Sequence, residues 1–432
     1  MFGNPSVMVT TPETCRKVLN DDEHFRPGWP RSTVELIGKK SFISIPFEEH
    51  KRLRRLTAAP INGHEALSNY IEYIEKISKS SLDKLSKMGE IEFLTQLRKL
   101  TFRIIMYIFL SSESEPVMEA LEKEYTTLNY GVRAMAINVP GFAYHKALKA
   151  RKKLVAVFQG IIDERRALKR DGVAVKARKD MMDDLLQVED ENGRKLTDED
   201  IIDVLVMYLN AGHESSAHTI MWATVLLQKH PEFLHKAKVL KTLQILHSIL
   251  LLCCLHNTDT FMLYKTGEIQ AEQEEIVKNR PVGQKGLTLK ETRKMTYLSQ
   301  VVDETLRWVT FSMVVFREAI SDVNINGYTI PKGWKVLAWF RPCHLDHEVW
   351  PEPMEFNPSR WDDLAPKAGT FLPFGAGSRL CPGNDLAKLE ISIFLHYFLL
   401  NYRLEIVDPE CKVQFLPHRR PEDNCLARVK KI

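Results

Sequence analysis

The sequence of 432 residues has few of the features that mark secreted, zinc-binding or nucleic-acid-binding proteins. Its seven cysteines are scattered and form no C-x-x-C pair, which argues against a disulfide framework and a tetrahedral zinc site and favours a reducing compartment. The formal net charge of +4 is too small to indicate a nucleic-acid partner. Because no glycine-, serine- or proline-rich linker divides the chain, we expect one domain over residues 1–432.

Long apolar segments are also missing. Residues 1–9 look like a sheet strand, with no signal peptide or apolar span of about 20 residues before them, so we expect no N-terminal membrane anchor. The apolar run at 243–255 is too short to span a bilayer. It belongs to a tract, 239–270, that interrupts a helical pattern. Since Val codons begin with GT and Gln can be CAG, we interpret this atypical insertion as a retained in-frame intron. A membrane-contact loop is the alternative.

What the sequence does contain is a cysteine on a glycine-rich loop. Residues 374–383 read Phe-Gly-Ala-Gly-Ser-Arg-Leu-Cys-Pro-Gly and precede an apolar helix predicted over 384–402. The glycines allow a flat ligand to approach the backbone, and Arg379 offers a fixed charge to an acidic group. The helix N-terminus should lower the pKa of the Cys381 thiol. A lone thiolate beneath a wide, flat ligand indicates haem iron, whereas a buried structural thiol is the alternative.

A second motif lies in the middle of a long helix. This helix should begin after Thr197, a candidate N-cap, and end at His230, about 32 residues later. Apolar residues fill nearly every face, so we expect it to be buried. A glycine at 212 costs about 1 kcal/mol relative to alanine, and the charge of Glu214 is costly unless it has partners. For Ala211 and Gly212 the alternative is a close helix crossing.

Two groups of charged residues complete the pattern. Glu304 and Arg307 share one helix face, which by itself indicates only a solvated ion pair. Downstream, residues 356–361 read Phe-Asn-Pro-Ser-Arg-Trp and contain Arg360. A basic run follows His50, and we interpret three of its members as a solvated face that could attract an acidic redox partner: Lys51, Arg52 and Arg55.

Taken together, these motifs resemble those of the cytochromes P450. The resemblance implies a mainly α haem-thiolate fold with a small β-sheet portion, N-terminally truncated in this chain. It implies haem b as the cofactor, with Cys381 as the axial ligand of the iron. The loop residues implied to bind the haem are Phe374, Gly375, Arg379, Cys381 and Gly383.

The resemblance also implies roles for the remaining motifs. Ala211 and Gly212 would leave room over the iron, and Glu214 and Ser215 would form an acid–alcohol pair that delivers protons to bound dioxygen. Serine replaces the threonine that is commoner in the family, which leaves the hydroxyl less restricted. The buried structural triad would consist of Glu304, Arg307 and Arg360. The haem propionates would be held by His50, Arg54, Arg317 and Arg379.

Three segments, 134–147, 209–216 and 381–390, are more specifically similar to the plant ent-kaurenoic acid oxidases of gibberellin biosynthesis. That resemblance implies a monooxygenase that oxidises ent-kaurenoic acid towards gibberellin A12 with O2. It also implies electrons from an NADPH-dependent reductase and a place on the cytosolic face of the endoplasmic reticulum membrane. A sister group oxidises triterpenes such as β-amyrin, which is the alternative substrate class. A truncated, non-catalytic product is the alternative from another class.

The substrate pocket should draw on residues 208–216 and 310–315, which are mainly apolar as a terpenoid requires. For Phe311, Met313 and Val315, simple core packing is an equal alternative. A carboxylate substrate also needs a positive or hydrogen-bonding anchor, and the sequence identifies none.

Overall fold

The computed structural model describes residues 4–111, 115–170, 180–234, 268–416 and 418–432. Most of the described chain is helical. The helices are α1 Pro12–Asn20, α2 Arg31–Ile37, α3 Phe47–Asn62, α4 His64–Lys87, α5 Phe93–Leu110, α6 Glu115–Val132, α7 Ala143–Arg170, α8 Met181–Gln187, α9 Asp198–Lys229, α10 Pro231–Leu234, α11 Glu268–Lys278, α12 Leu289–Thr292, α13 Thr296–Val309, α14 Phe340–His344, α15 Arg360–Asp363 and α16 Asn384–Asn401.

The strands are short and form four small sheets. They are β1 Ser6–Val9, β2 Phe25–Pro27, β3 Ile91–Glu92, β4 Val314–Ala319, β5 Val323–Ile325, β6 Tyr328–Ile330, β7 Lys335–Trp339, β8 Tyr402–Ile406, β9 Val413–Gln414, β10 Arg420–Pro421 and β11 Leu426–Lys431. The largest sheet has the order β1-β7-β4-β2, with β1 parallel to β7 and the other pairs antiparallel. A mainly α fold with a small β portion is therefore confirmed.

Local sequence signals explain the principal elements. At the start of α9, Thr197 and Asp200 form a reciprocal capping box, and the helix runs for 32 residues to Lys229, as predicted. The hairpin of β5 and β6 turns at Asn326 and Gly327, whose φ angles of 51° and 86° suit an Asn-Gly turn.

The core has two parts. The larger apolar cluster surrounds α9 and takes in α4, α5, α13 and α16, while the smaller one packs between α1 and the largest sheet. Together they pack α16, which follows the cysteine loop, against α9. Within the described ranges we find no helix whose length and apolar character would let it cross a bilayer. The retained-intron interpretation concerns residues 239–270, nearly all of which lie outside the described residues.

Candidate active site

Helix α9 is accessible at one point along its length. Over residues 201–227 every side chain is buried except those of a short stretch: Asn210, Ala211, Gly212 and Ser215. Because neighbouring elements cover the helix on all sides elsewhere, we infer that this stretch faces the ligand cavity. The Ser215 hydroxyl donates a hydrogen bond to the Ala211 carbonyl over 2.9 Å. The structure thus places three of the sequence-predicted residues at the cavity.

Packing against a neighbouring helix explains the glycine in this stretch. A Cβ atom at Gly212 would come within 3.2 Å of the Ile105 Cδ1 atom of α5. A methyl group there would press on the buried α5, so the close helix crossing accounts for this position. Room above the iron stays a prediction for Gly212.

The glycine-rich loop presents Cys381 in front of open backbone. A Cβ atom added at Gly375 or Gly383 would meet nothing within 4 Å, and Gly375 has a φ of +77°. Gly377, in contrast, packs tightly on the backbone of α1. The Cys381 amide donates to the Phe374 carbonyl over 2.9 Å, which closes the loop. The loop therefore has two bare backbone positions next to the cysteine, as a flat ligand requires.

The prediction of a lowered thiol pKa is wrong for the chain by itself. Burial raises the pKa of Cys381, and the Gly383 amide and the charge of Arg54 offset only part of that effect. A helix N-terminus does not overcome desolvation here. A metal ion that coordinates the sulfur would deprotonate it outright.

Four basic side chains form one electrostatic cluster: His50, Arg54, Arg317 and Arg379. Burial, followed by the charges of the three arginines, lowers the pKa of His50 to about 3. Burial and then Arg379 lower the pKa of Arg317 to about 10. Asp22 lies 4.0 Å from the Arg379 Nε atom and compensates at most one of these charges. Buried cations without partners are unfavourable unless an anion joins them, so this cluster fits an acidic ligand.

The carboxylate of Glu214 turns towards helices α5 and α6. It accepts hydrogen bonds from Arg98 Nε at 3.1 Å and Asn129 Nδ2 at 3.0 Å. Burial alone would raise the pKa of Glu214, but Arg98, the adjacent histidines and Arg133 lower it to about 2. Glu214 is therefore ionised at neutral pH. Whereas Ser215 reaches the cavity, its predicted partner lies in a buried charge network.

Three histidines surround that carboxylate. Burial is the main cause that lowers the pKa of His213 to about 4, of His218 to about 3 and of His418 to about 4. All three imidazoles are neutral at pH 7, so the charges of this region come from the carboxylate and its arginines.

The predicted triad forms a fully buried network. Both Glu304 and Arg307 have no solvent exposure, and Arg307 pairs with Glu304 through two hydrogen bonds of 2.8 Å. Arg360 Nε lies 3.0 Å from the Glu304 Oε1 atom. The Trp361 indole and the Asn357 amide also donate to this carboxylate, over 3.1 Å and 2.9 Å. Since every charge has a partner of complementary geometry, the network can be buried without leaving an unpaired ion.

The two arginines extend the network into the segment that precedes the cysteine loop. Arg307 donates to the carbonyl groups of His344, Pro353 and Glu355, at 2.9, 2.8 and 3.1 Å. Arg360 donates to the carbonyl of Pro351 at 2.6 Å. The side chains thus satisfy backbone carbonyls at the end of α14 and in the irregular segment that follows it.

One interpretation of the basic run is wrong. Arg52 is buried, with Nε 2.5 Å from Asp190 Oδ2 and further bonds to Glu49 and to two backbone carbonyls before α9. Hydrophobic periodicity gave no sign of this, because the partners lie about 140 residues away in sequence. Arg55 keeps an exposed pair with Glu191 at 3.1 Å, and Lys51 is exposed, so these two are solvated as predicted.

Two buried polar residues near the site were not predicted. Glu390 on α16 is 1% exposed, and burial raises its pKa to about 8 despite a hydrogen bond from Ser216. His344 accepts the Leu372 amide at Nε2 over 2.8 Å, while its Nδ1 lies 3.0 Å from the Thr310 hydroxyl. Each is a polar residue at a position of its helix where the pattern calls for an apolar one. That mismatch is the sequence signal by which both could have been found. His344 joins α13 to the segment leading into the cysteine loop.

The pocket-lining segment after α13 is partly accessible. Phe311, Met313, Val314 and Val315 are half-buried, so they are available to a ligand as well as to the core. The Phe311 ring stacks on His418, with ring centroids 4.1 Å apart and an interplanar angle of 12°.

The sequence profile of the Cytochrome P450 family matches residues 1–239 and 260–421. The chain belongs to the cytochrome P450 family. It is 66% identical to ent-kaurenoic acid oxidase 1 of Arabidopsis thaliana over 430 residues, which are 99% of this chain and 81% of that protein. It is 53% identical to the rice ent-kaurenoic acid oxidase and 50% identical to the beta-amyrin 11-oxidase of Glycyrrhiza uralensis, covering 79% and 82% of those proteins. In both comparisons all of this chain is covered.

A solved structure shows the same fold. The retinoic acid bound cyanobacterial CYP120A1 has a TM-score of 0.84 over 100% of this chain and 90% of the other, at 24% sequence identity. Membership of the family makes the chain a haem-thiolate monooxygenase that takes electrons from a redox partner and acts on a small molecule. The profile leaves residues 240–259, inside the atypical tract, without a match.

The described residues fit haem. The loop offers bare backbone at Gly375 and Gly383, next to a thiol that burial keeps protonated in the chain alone. The Arg379 Nε atom is buried without a hydrogen-bond partner in the described part of the chain, although Asp22 lies 4.0 Å away. A flat macrocycle with an iron centre and two carboxylates would match each of these features.

Proposed function

We propose that this cytochrome P450 oxidises ent-kaurenoic acid towards gibberellin A12. The observation that carries the proposal is the 66% identity with an ent-kaurenoic acid oxidase over 99% of the chain. The half-buried apolar segment at Phe311 and Met313 supports it, since a diterpenoid needs a mainly apolar pocket. We further propose that the electrons come from an NADPH-dependent reductase on the cytosolic face of the endoplasmic reticulum.

Particular residues would hold the cofactor. Cys381 would coordinate the iron, while Arg54, Arg317, Arg379 and the neutral His50 would face the propionates. When bound, haem with a thiolate ligand supplies the reductive activation of O2. The two carboxylates of the haem would balance the otherwise unpaired arginine charges, so cofactor binding relieves an electrostatic cost built into the chain.

The Ser215 hydroxyl at the cavity would supply protons for the reaction. The Ser215 hydroxyl, which bonds to the Ala211 carbonyl, can pass a proton between water and a ligand above α9. Glu214 has a pKa of about 2 and cannot store a proton at neutral pH. As the ionised member of the pair it would orient water molecules that supply protons to Ser215, and its hydrogen bonds from Arg98 and Asn129 would fix its position.

The test begins with ligation. Reduced protein with carbon monoxide should show the red-shifted absorption band of thiolate-ligated haem, and Cys381→Ser should abolish it. Cys411→Ser is the matched control, because Cys411 is partly accessible and belongs to no cavity described above. Absence of the band in the parent protein would support a non-catalytic product.

Substrate assignment needs a direct competition. The protein with a reductase and NADPH would receive ent-kaurenoic acid and β-amyrin together, and products would be identified by mass spectrometry. We expect more oxidised diterpenoid acids. The 50% identity with a beta-amyrin 11-oxidase makes the triterpene the second candidate. Turnover of β-amyrin alone would transfer the chain to that group.

A further inference from the structure

A carboxylate substrate requires a positively charged group that binds it. One arginine next to the cavity can serve as this anchor. Arg133 follows the last residue of α6, and its Nη2 atom lies 3.9 Å from the Glu214 Oε2 atom. A charge-assisted hydrogen bond would be about 2.7–2.9 Å long, so this arginine does not donate directly to that carboxylate. Its side chain keeps 25% of its surface accessible.

The charges around Glu214 do not balance. Arg98 and Arg133 contribute two positive charges, and Glu214 contributes one negative charge. The surrounding histidines are neutral at pH 7. Arg98 is already engaged, since its Nε atom donates to Glu214 over 3.1 Å, and Asn129 satisfies the other carboxylate oxygen. The surplus positive charge therefore resides on Arg133.

This charge is next to the ligand cavity. The Glu214 Oε2 atom lies 3.5 Å from the Nδ1 atom of His218, whose ring centroid is 5.2 Å from that of Phe311. His218 also lies beside His418, with ring centroids 5.7 Å apart. The His418 ring stacks on Phe311, in the segment that lines the pocket. The end of α6, the middle of α9 and the C-terminal turn thus converge at one place.

The environment of Arg133 is partly desolvated. Burial lowers its pKa, and the attraction of Glu214 does not cancel that effect. A cation in this situation gains more from an incoming carboxylate than a fully hydrated one, because part of its hydration is already lost.

We propose that Arg133 binds the carboxylate of the substrate and so orients an otherwise apolar terpenoid acid in the cavity beside Ser215. The proposal rests on the proposed function and names the recognition element that this function requires. Arg133 is a specificity-determining residue: it discriminates acids from neutral terpenoids of similar shape, while the reacting carbon lies elsewhere on the ligand.

The experiment compares an acid with its neutral ester. Haem-loaded parent protein and variants would be titrated with ent-kaurenoic acid and with its methyl ester, and binding would be followed by the substrate-induced change of the haem spectrum. Arg133→Gln should raise the Kd for the acid about tenfold to a hundredfold, since a hydrogen bond to a charged group is lost. The Kd for the ester should stay within about twofold of the parent value.

Two further variants separate recognition from structure. Arg133→Lys retains the charge and should restore most of the affinity for the acid. Lys146→Gln removes an exposed charge of the nearby α7 and should change neither Kd, which controls for long-range electrostatics. The carbon monoxide spectrum of each variant would verify intact haem.

The outcomes distinguish this proposal from the proposed function. If the parent binds and oxidises the acid but Arg133→Gln binds it equally well, the anchor is elsewhere and the substrate assignment stands. If Arg133→Gln weakens acid and ester alike, Arg133 is structural and the anchor proposal fails. If the parent binds neither compound, the substrate assignment itself is overturned.

Discussion

Two groups of buried arginines in this protein have opposite electrostatic surroundings. Arg307 and Arg360 both pair with the Glu304 carboxylate and donate to backbone carbonyls, so each guanidinium has hydrogen-bond partners within the chain itself. The side chains of Arg317 and Arg379 are also buried, yet among the described residues the acid that acts on both is Asp22, which lies 4.0 Å from the Arg379 Nε atom. The first arrangement stabilises the fold, whereas the second leaves positive charge available to bind an acidic ligand.

The largest expected effect is the loss of the carboxylate that balances the first group. Glu304→Gln leaves two buried guanidinium groups without a counter-ion and should cost about 3–5 kcal/mol of unfolding free energy. Little haem protein should accumulate, as measured by the carbon monoxide spectrum and by thermal unfolding. Glu405→Gln, which breaks an exposed pair with Arg403 of 3.1 Å, serves as the control. Equal stability of the two variants would contradict a structural role for the network.

The second prediction concerns the second group of arginines, which includes Arg317. Arg317→Met removes an uncompensated buried cation, so the haem-free protein should be as stable as the parent or more stable. Haem should dissociate at least about tenfold faster, because a charge-assisted bond to a propionate is lost. Haem transfer to an acceptor protein and urea unfolding of the haem-free form measure the two quantities. A destabilised haem-free protein with unchanged haem loss would show that Arg317 belongs with the structural group.

The third prediction concerns the intermediate case, in which Glu214 balances one of two arginines. Its pKa of about 2 lies below the value of about 4.3 for a free glutamate, so Glu214 contributes stability above pH 4–5 that is lost as the pH falls towards 2. Glu214→Gln should cost about 1–2 kcal/mol at pH 7, and the difference from the parent should shrink on acidification.

Catalysis by this variant provides the second measurement. Glu214→Gln should keep haem but release more peroxide per NADPH consumed, since the relay loses its ionised member. Peroxide and product would be quantified together. Between pH 6 and 8 the parent should show no titration that depends on Glu214. If the stability difference between the parent and Glu214→Gln stayed constant across the acidic range, the lowered pKa would belong to another group.

The smallest effect should come from an arginine that is merely exposed. Arg55→Gln breaks a surface pair with Glu191 and should change the unfolding free energy by less than about 1 kcal/mol. Arg52→Gln, three positions earlier in the same helix, should cost clearly more, because Arg52 is buried and hydrogen-bonded to Asp190. Chemical denaturation of both variants tests the difference. Similar losses would mean that burial does not govern these two side chains.

The sequence predicted those parts of the fold that depend on local signals. The capped helix after Thr197 and the glycine-rich loop before α16 both carry their information within a few residues. The triad was predictable only through family resemblance, since Glu304 and Arg360 are 56 residues apart. The burial of Arg52, the turn of Glu214 towards α5 and α6 and the surplus charge of Arg133 depend on contacts between distant segments, which periodicity does not encode.

The Glu304 network also constrains the order in which the protein can fold. The acceptors and donors that complete it, from His344 to Trp361, all follow Glu304 in the chain. During synthesis, α13 therefore emerges with charges that have no place in a core, and it can be buried only after residue 361 has left the ribosome. The loop that carries Cys381 comes next, so haem capture should coincide with the last steps of folding. Stalled chains that end before and after Trp361 should differ sharply in protease resistance near α13.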